Sequence, residues 1–153
     1  MRIVIQRVSR AKVEVAGELI SETGRGLMIL VGVETGDTAD DARWLADKAA
    51  ALRIFPRPGS GSDVMDCSVT DIGGEVLAIS QFTLTAGTRK GNRPSYIRAA
   101  GGAEAEPLYR LFCELLEARI GRPAGRGVFG ADMQVSLTND GPVTIIIDSR
   151  LRE

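Results

Sequence analysis

"GLMILVGVE", Gly26 to Glu34, is a continuous apolar run. It reads as a buried central strand. The segments on either side of it supply the rest of a sheet. Upstream, "RIVIQRVS" (residues 2–9) alternates, with Ile3, Ile5 and Val8 on its apolar side. "AKVEVA" (11–16) alternates again, and "GELISE" (17–22) follows as its hairpin partner. Downstream, "DTADDARWLADKAAALRIF" (37–55) predicts a helix. Ala42, Leu45, Ala46, Ala49 and Leu52 form one apolar stripe at helical spacing. Thr38 with Asp41 three residues later resembles a capping box, with Asp in place of Glu. Trp44 lies off the stripe and is read as covering a neighbouring element.

Further along, "PRPGSGSD" (56–63) is a loop, and "VMDCSVTDIGGEV" (64–76) holds a short strand and a turn. "EVLAISQFTL" (75–84) is a strand that ends in polar residues. A second helix is expected over roughly 103–120, with Leu108, Leu111, Phe112, Leu115 and Leu116 on its apolar face. Gly121 suits its C-terminal cap, and Pro123 prevents continuation. After the glycine-rich "GRPAGRGVFG" come two strands, "DMQVSLTN" (132–139) and "PVTIIIDSR" (142–150). With no repeat and no linker, residues 1–153 read as a single α+β domain. A mixed or antiparallel sheet carries two main helices.

Composition narrows the chemistry. Hydrophobic residues make up 44% and charged residues 25%, the balance of an ordinary soluble domain. No apolar run approaches the roughly 18 residues of a membrane helix, and the N-terminus reads as a strand, not a signal peptide. The expected compartment is the cytoplasm, with no membrane partner. Cys67 and Cys113 stand far apart and are expected to be reduced. The chain has no histidine. That removes Ser-His-Asp and Cys-His nucleophile schemes, and most transition-metal sites. No metal and no cofactor are expected.

The net charge of −1 makes no global case for nucleic acid. Locally, "TRKGNRPSYIR" puts Arg89, Lys90, Arg93 and Arg98 within ten residues and no acid among them. Such a cluster suits either a phosphate backbone or a solvated loop.

Four short stretches draw attention. "SQFTL", Ser80 to Leu84, places hydroxyl and amide groups at a strand end, where sites are common, but beside no strong base. If the strand is regular, Phe82 points away from Gln81 and Thr83, as a core aromatic. "GVFGADM" flanks Phe129 with glycines, as a plug under a loop or a place of close approach. "GNRPSY" joins the basic loop to a proline and an aromatic. "NDGPVT" puts Gly141-Pro142 at the mouth of a strand, as a turn or as backbone that touches a ligand.

Taken together, "QRV" near the start, "SQFTL", "KGNRPSY", "VFGADM" and "NDGPVT" resemble, in order and spacing, the D-aminoacyl-tRNA deacylases. The resemblance covers essentially the whole chain. It implies that family's barrel-like, layered β/β/α fold. It implies hydrolysis of the ester between a D-amino acid and the 3′-terminal adenosine of tRNA, and clearance of glycine mischarged on alanine tRNA. It implies a homodimer with active sites at the subunit interface.

Residue by residue, Gly141 and Pro142 match a Gly-Pro pair that adopts a cis peptide and enters the other subunit's site. Ser80 and Gln81 match pocket residues beneath the substrate. Phe129 matches the position contacting the terminal adenine, and Arg7 and Met133 match residues that hold the Gly-Pro segment. Thr83 matches a threonine considered as a nucleophile. Backbone N–H groups at Phe82 and Thr83 are candidates for stabilising an oxyanion. A rigid backbone wall at Gly141-Pro142 implies rejection of L substrates but not of glycine. Arg89, Lys90 and Arg93 are candidate tRNA contacts, from charge.

Three other classes stay open on the residues themselves. One is an esterase with Thr83 as nucleophile and Lys90 as its activator. Another is a non-enzymatic nucleic-acid-binding module using residues 89–98. The third is an interaction protein whose dimer surface is its whole role.

Overall fold

The computed structural model describes residues 1–152. One strand organises it. β1 (Arg2–Val15) runs through both N-terminal alternating segments without a break. Its buried side chains are Ile3 and Ile5, then Val8, then Ala11 and Val13. The apolar phase slips twice, and the register against the last strand shifts between Gln6 and Val8 and again between Val8 and Arg10. Bulges of this kind preserve a strand while flipping its inward face. This is why the sequence reads as two strands where the structure has one.

β2 (Glu18–Thr23) and β3 (Gly26–Gly32) pair antiparallel with successive parts of β1. β8 (Gln134–Asp148) pairs antiparallel along almost the whole of β1. It likewise merges two segments read as separate strands. On the far side of β3, β6 (Glu75–Ser80) adds in parallel, and the two-residue β7 (Gly125–Arg126) adds in parallel to β6. β4 (Phe55–Pro56) and β5 (Met65–Cys67) form a small separate ladder. A side chain at Gly125 of β7 would collide with Ser21 and Thr23 of β2. The two ends of the sheet therefore meet, and the mixed sheet is nearly closed into a barrel.

β3 is buried along nearly all of its length, as its apolar run requires. Ile29 and Val31 face a large core with Ile3, Ile5, Val76 and Ala78. Met28 faces a smaller one with Val8, Val13, Leu77 and Ile79. Two helices cover the larger core. α1 (Ala39–Ala51) starts at Thr38, whose N–H donates to Asp41 Oδ2 at 2.8 Å. Its buried residues include Ala42, Leu45, Ala46 and Ala49. Trp44 packs at the edge of this core with the Arg152 guanidinium 4.7 Å from its ring centroid. α2 (Gly102–Ile120) ends on Gly121 at φ 72°, in the left-handed cap the sequence predicts. Its deepest face is Ala105, Tyr109, Phe112, Cys113, Leu116 and Ile120, while Leu108, Leu111 and Leu115 are only partly buried. Cys67 and Cys113 are both buried and free. Among the described residues no helix is long and apolar enough to cross a membrane.

Candidate active site

β6 ends at Ser80, four residues earlier than its sequence predicts. Gln81 donates its N–H to the Val31 carbonyl at 2.7 Å, and the chain then turns into a short 3-10 segment, Phe82–Thr85. Strand alternation stops there, so the expected placement of Phe82 in the core is overturned. Its side chain is 57% exposed. It meets Tyr96 edge-on, with ring centroids 5.2 Å apart.

The parallel ends of β3 and β6, the start of α2 and residues 129–135 enclose a cavity of about 480 Å³. Ser80, Gln81, Phe82, Phe129 and Met133 all line it, so five of the expected site residues share one place. Tyr109 closes its inner wall, a residue the sequence reading passed over. Its ring lies 6.0 Å from that of Phe129, and its hydroxyl donates to the Ala78 carbonyl of β6 at 2.8 Å. Burial pushes the Tyr109 phenol far above its ordinary range. It therefore acts as a hydrogen-bonded wall and not as a base. Burial likewise raises the neighbouring Cys113 thiol to about 11. The signal for Tyr109 was its helical spacing from Ala105, Phe112 and Cys113.

Thr83 lies elsewhere. It opens on a different groove, with Arg2, Leu84 and Ile146. Its Oγ1 accepts a hydrogen bond from Gln81 Nε2 at 2.6 Å. Gly141 and Pro142 are also absent from the cavity lining. They sit where β1 and β8 lose register. Gln6 faces Thr144 and Val8 faces Asn139, so Asp140 to Val143 stand opposite Arg7 alone. This four-residue bulge leaves Gly141 and Pro142 exposed. Their peptide bond is cis, and Gly141 has φ 133°. A side chain at Gly141 would lie 2.9 Å from Val143 Cγ2 and 3.1 Å from Arg7 Nη2. Arg7 donates Nε–H to the Asp140 carbonyl at 2.9 Å, so it holds the bulge, while Met133 stays with the cavity. Arg89, Lys90 and Arg93 lie in an exposed loop.

The family described as D-Tyr-tRNA(Tyr) deacylase matches residues 4–148, from within β1 to the end of β8. The chain belongs to this family. Among D-aminoacyl-tRNA deacylases it is 56% identical to that of Akkermansia muciniphila and 53% identical to that of Porphyromonas gingivalis. Each match spans 153 residues and the full length of both chains. Among solved structures, one described as c-Myc DNA Unwinding Element Binding Protein is 40% identical. It covers 97% of this chain and 98% of that one, with a TM-score of 0.87. A second, described as a probable eukaryotic D-amino acid tRNA deacylase, superposes with a TM-score of 0.84 at 16% identity, over 95% of this chain and 97% of that one. That likeness speaks for the shared deacylase fold.

Proposed function

We propose that this protein hydrolyses the ester bond of D-aminoacyl-tRNA, releasing the D-amino acid and free tRNA. The observation that carries this reading is the cavity. It gathers Ser80, Gln81, Phe82, Phe129 and Met133 in a chain that aligns end to end with D-aminoacyl-tRNA deacylases. In the proposed pose the terminal adenine lies against Phe129, and the ester carbonyl lies over the turn after β6. The first N–H groups of a 3-10 segment have no partner inside it, so that of Phe82, which borders the cavity, is free to receive the developing oxyanion, with the backbone N–H of Thr83 next in line although the Thr83 residue opens on the other groove.

An aminoacyl ester is already activated, so the chain needs no histidine. The 2′-hydroxyl of the terminal ribose helps orient water. Cleavage of a 2′-deoxyadenosine ester at full rate, together with loss of activity in Thr83→Ala, would transfer the role to Thr83.

Stereoselectivity comes from the Gly141-Pro142 backbone. It acts as a fixed wall where an L side chain would project, and it has nothing to exclude in glycine. Glycyl-tRNA is therefore a second substrate. Because that segment does not line the cavity of its own chain, the wall is supplied by a second copy, and the working unit is a homodimer with shared sites. The enzyme acts in the cytoplasm without cofactor or metal. Arg89, Lys90 and Arg93 contact the tRNA backbone.

The test is deacylation of one tRNA charged in parallel with D-tyrosine, L-tyrosine and glycine, in the presence of chelator. Loss of the D and glycyl esters with L-tyrosine spared is the expected result. Loss of all three keeps the esterase and removes the Gly141-Pro142 filter. Loss of none favours a nucleic-acid-binding module, the reading to which the DNA-binding description of the 40% identical structure lends weight.

A further inference from the structure

Phe82 and Tyr96 form an aromatic pair left largely in water. Their planes meet at 70°, and the two side chains are 57% and 42% exposed. Exposed apolar groups gathered at a cavity rim mark a place of interaction. Phe82 borders the same cavity as Phe129, so the pair forms its doorstep.

Tyr96 is held in place. Its loop is closed by reciprocal hydrogen bonds between Gly87 and Ser95 at 2.8 and 2.9 Å. Ala99 N–H donates to the Tyr96 carbonyl at 2.9 Å, and Thr35 N–H donates to the Arg98 carbonyl at 3.0 Å. Arg98 Nη2 donates to the Thr85 carbonyl at 3.1 Å, tying this loop to the 3-10 segment that carries Phe82.

The loop also carries Arg89, Lys90 and Arg93, all exposed, with no acid between residues 86 and 98. Among the described residues none of the three is in an ion pair. Aromatic faces next to unneutralised cations fit an unpaired nucleic-acid strand, whose bases stack while its phosphates meet the charge. A duplex offers no open base faces.

Resting on the deacylase reading, which puts the terminal adenosine inside the cavity, we propose that Phe82 and Tyr96 form a stacking platform for the unpaired cytidines that precede that adenosine. Arg89, Lys90 and Arg93 take their phosphates. The protein then grips the single-stranded 3′ end and not only its last nucleoside.

The experiment compares two D-tyrosyl esters, one on adenosine and one on the trinucleotide cytidyl-cytidyl-adenosine. For the wild-type protein, kcat/KM on the trinucleotide is expected to exceed that on adenosine by roughly 5- to 150-fold, the range of one stacked base. Tyr96→Ala should erase most of that preference through KM, and Tyr96→Phe should retain it. A thermal melt confirms that both variants fold. Equal cleavage of the two esters by the wild-type protein overturns the platform and leaves the deacylase reading intact. So does a preference that survives Tyr96→Ala. Charged D-tyrosyl-tRNA is run alongside: cleavage of the tRNA but of neither short ester overturns the platform alone, and no cleavage of the tRNA overturns the deacylase reading and the platform with it. A Tyr96→Ala variant that fails to fold is replaced by Tyr96→Ser, read by the same ratio.

Discussion

Arg7 of β1 holds Asp140 of β8 by the backbone: its Nε–H donates to the Asp140 carbonyl at 2.9 Å. The same guanidinium donates Nη1–H to the Ile54 carbonyl at 2.6 Å. Its side chain is only 11% exposed, so both carbonyls depend on it in a place that water reaches poorly. Arg7 thus ties the base of the Gly141-Pro142 bulge to the segment after α1.

Arg7→Ala should therefore loosen the bulge. Hydrogen bonds from a charged donor contribute about 1.5–3 kcal/mol each, and a loss of about 2–3 kcal/mol is expected by urea unfolding. Arg7→Lys should restore little, since one ammonium does not reproduce the planar fork that serves two acceptors. If the bulge is the stereochemical wall, the ratio of D to L cleavage should fall in both variants, with less effect on glycyl-tRNA. An unchanged ratio in a destabilised protein would separate the bulge from selectivity.

Gly141→Ala tests the same wall from inside. At φ 133° a non-glycine residue is strained, and its Cβ would press on Val143 and on Arg7. The expected outcome is a folded protein with a displaced Pro142 and at least a tenfold drop in D-over-L selectivity, read with paired D- and L-tyrosyl-tRNA.

The bulge shows where sequence reading works and where it stops. "NDGPVT" marks a break in an alternating pattern, and so the position of Gly141 and Pro142 was legible. That the strand resumes in the same ladder was not. It depends on β1 continuing past Arg7 on the other side, a long-range pairing that no local pattern contains. Phe82 departs from the local pattern for the opposite reason. The apolar alternation of the sequence runs on past Ser80, while hydrogen bonding by Gln81 and the turn at Phe82–Thr85 end the strand there. Tyr109 was hidden because a tyrosine on an apolar helix face reads as packing until the cavity beside it is seen.

Asp148 should govern part of the acid stability. Burial by itself would push its carboxyl up. The Arg150 N–H at 2.9 Å and Arg2, at 2.8 and 3.1 Å, outweigh that and hold it below the usual carboxylate value. A carboxyl with a lowered folded pKa stabilises above its unfolded value of roughly 3.9. That stabilisation is lost as pH falls through the lowered folded value. Arg2 also donates to the Leu84 carbonyl at 2.8 Å, so the pair braces the turn beside the cavity. Asp148→Asn is expected to cost about 1–2 kcal/mol at pH 7. It should also flatten the fall in stability below pH 4, measured by urea unfolding at both pH values. A parallel loss at pH 7 and pH 3 would show that the carboxylate is not the group involved.

Phe129 carries the last prediction, because its setting separates binding from chemistry. It is braced by Tyr109, which is itself fixed to β6 through the Ala78 carbonyl. The ring can therefore meet a flat base without losing much freedom on binding. Removing an aromatic that stacks on one base costs roughly 1–3 kcal/mol. Phe129→Ala should raise KM for the D-tyrosyl ester of adenosine by about 5- to 150-fold with a smaller change in kcat. Phe129→Tyr should keep KM near that of the wild-type protein. A fall in kcat with KM unchanged would place Phe129 against the reacting ester instead of the base, and would require the substrate to lie in the cavity the other way round.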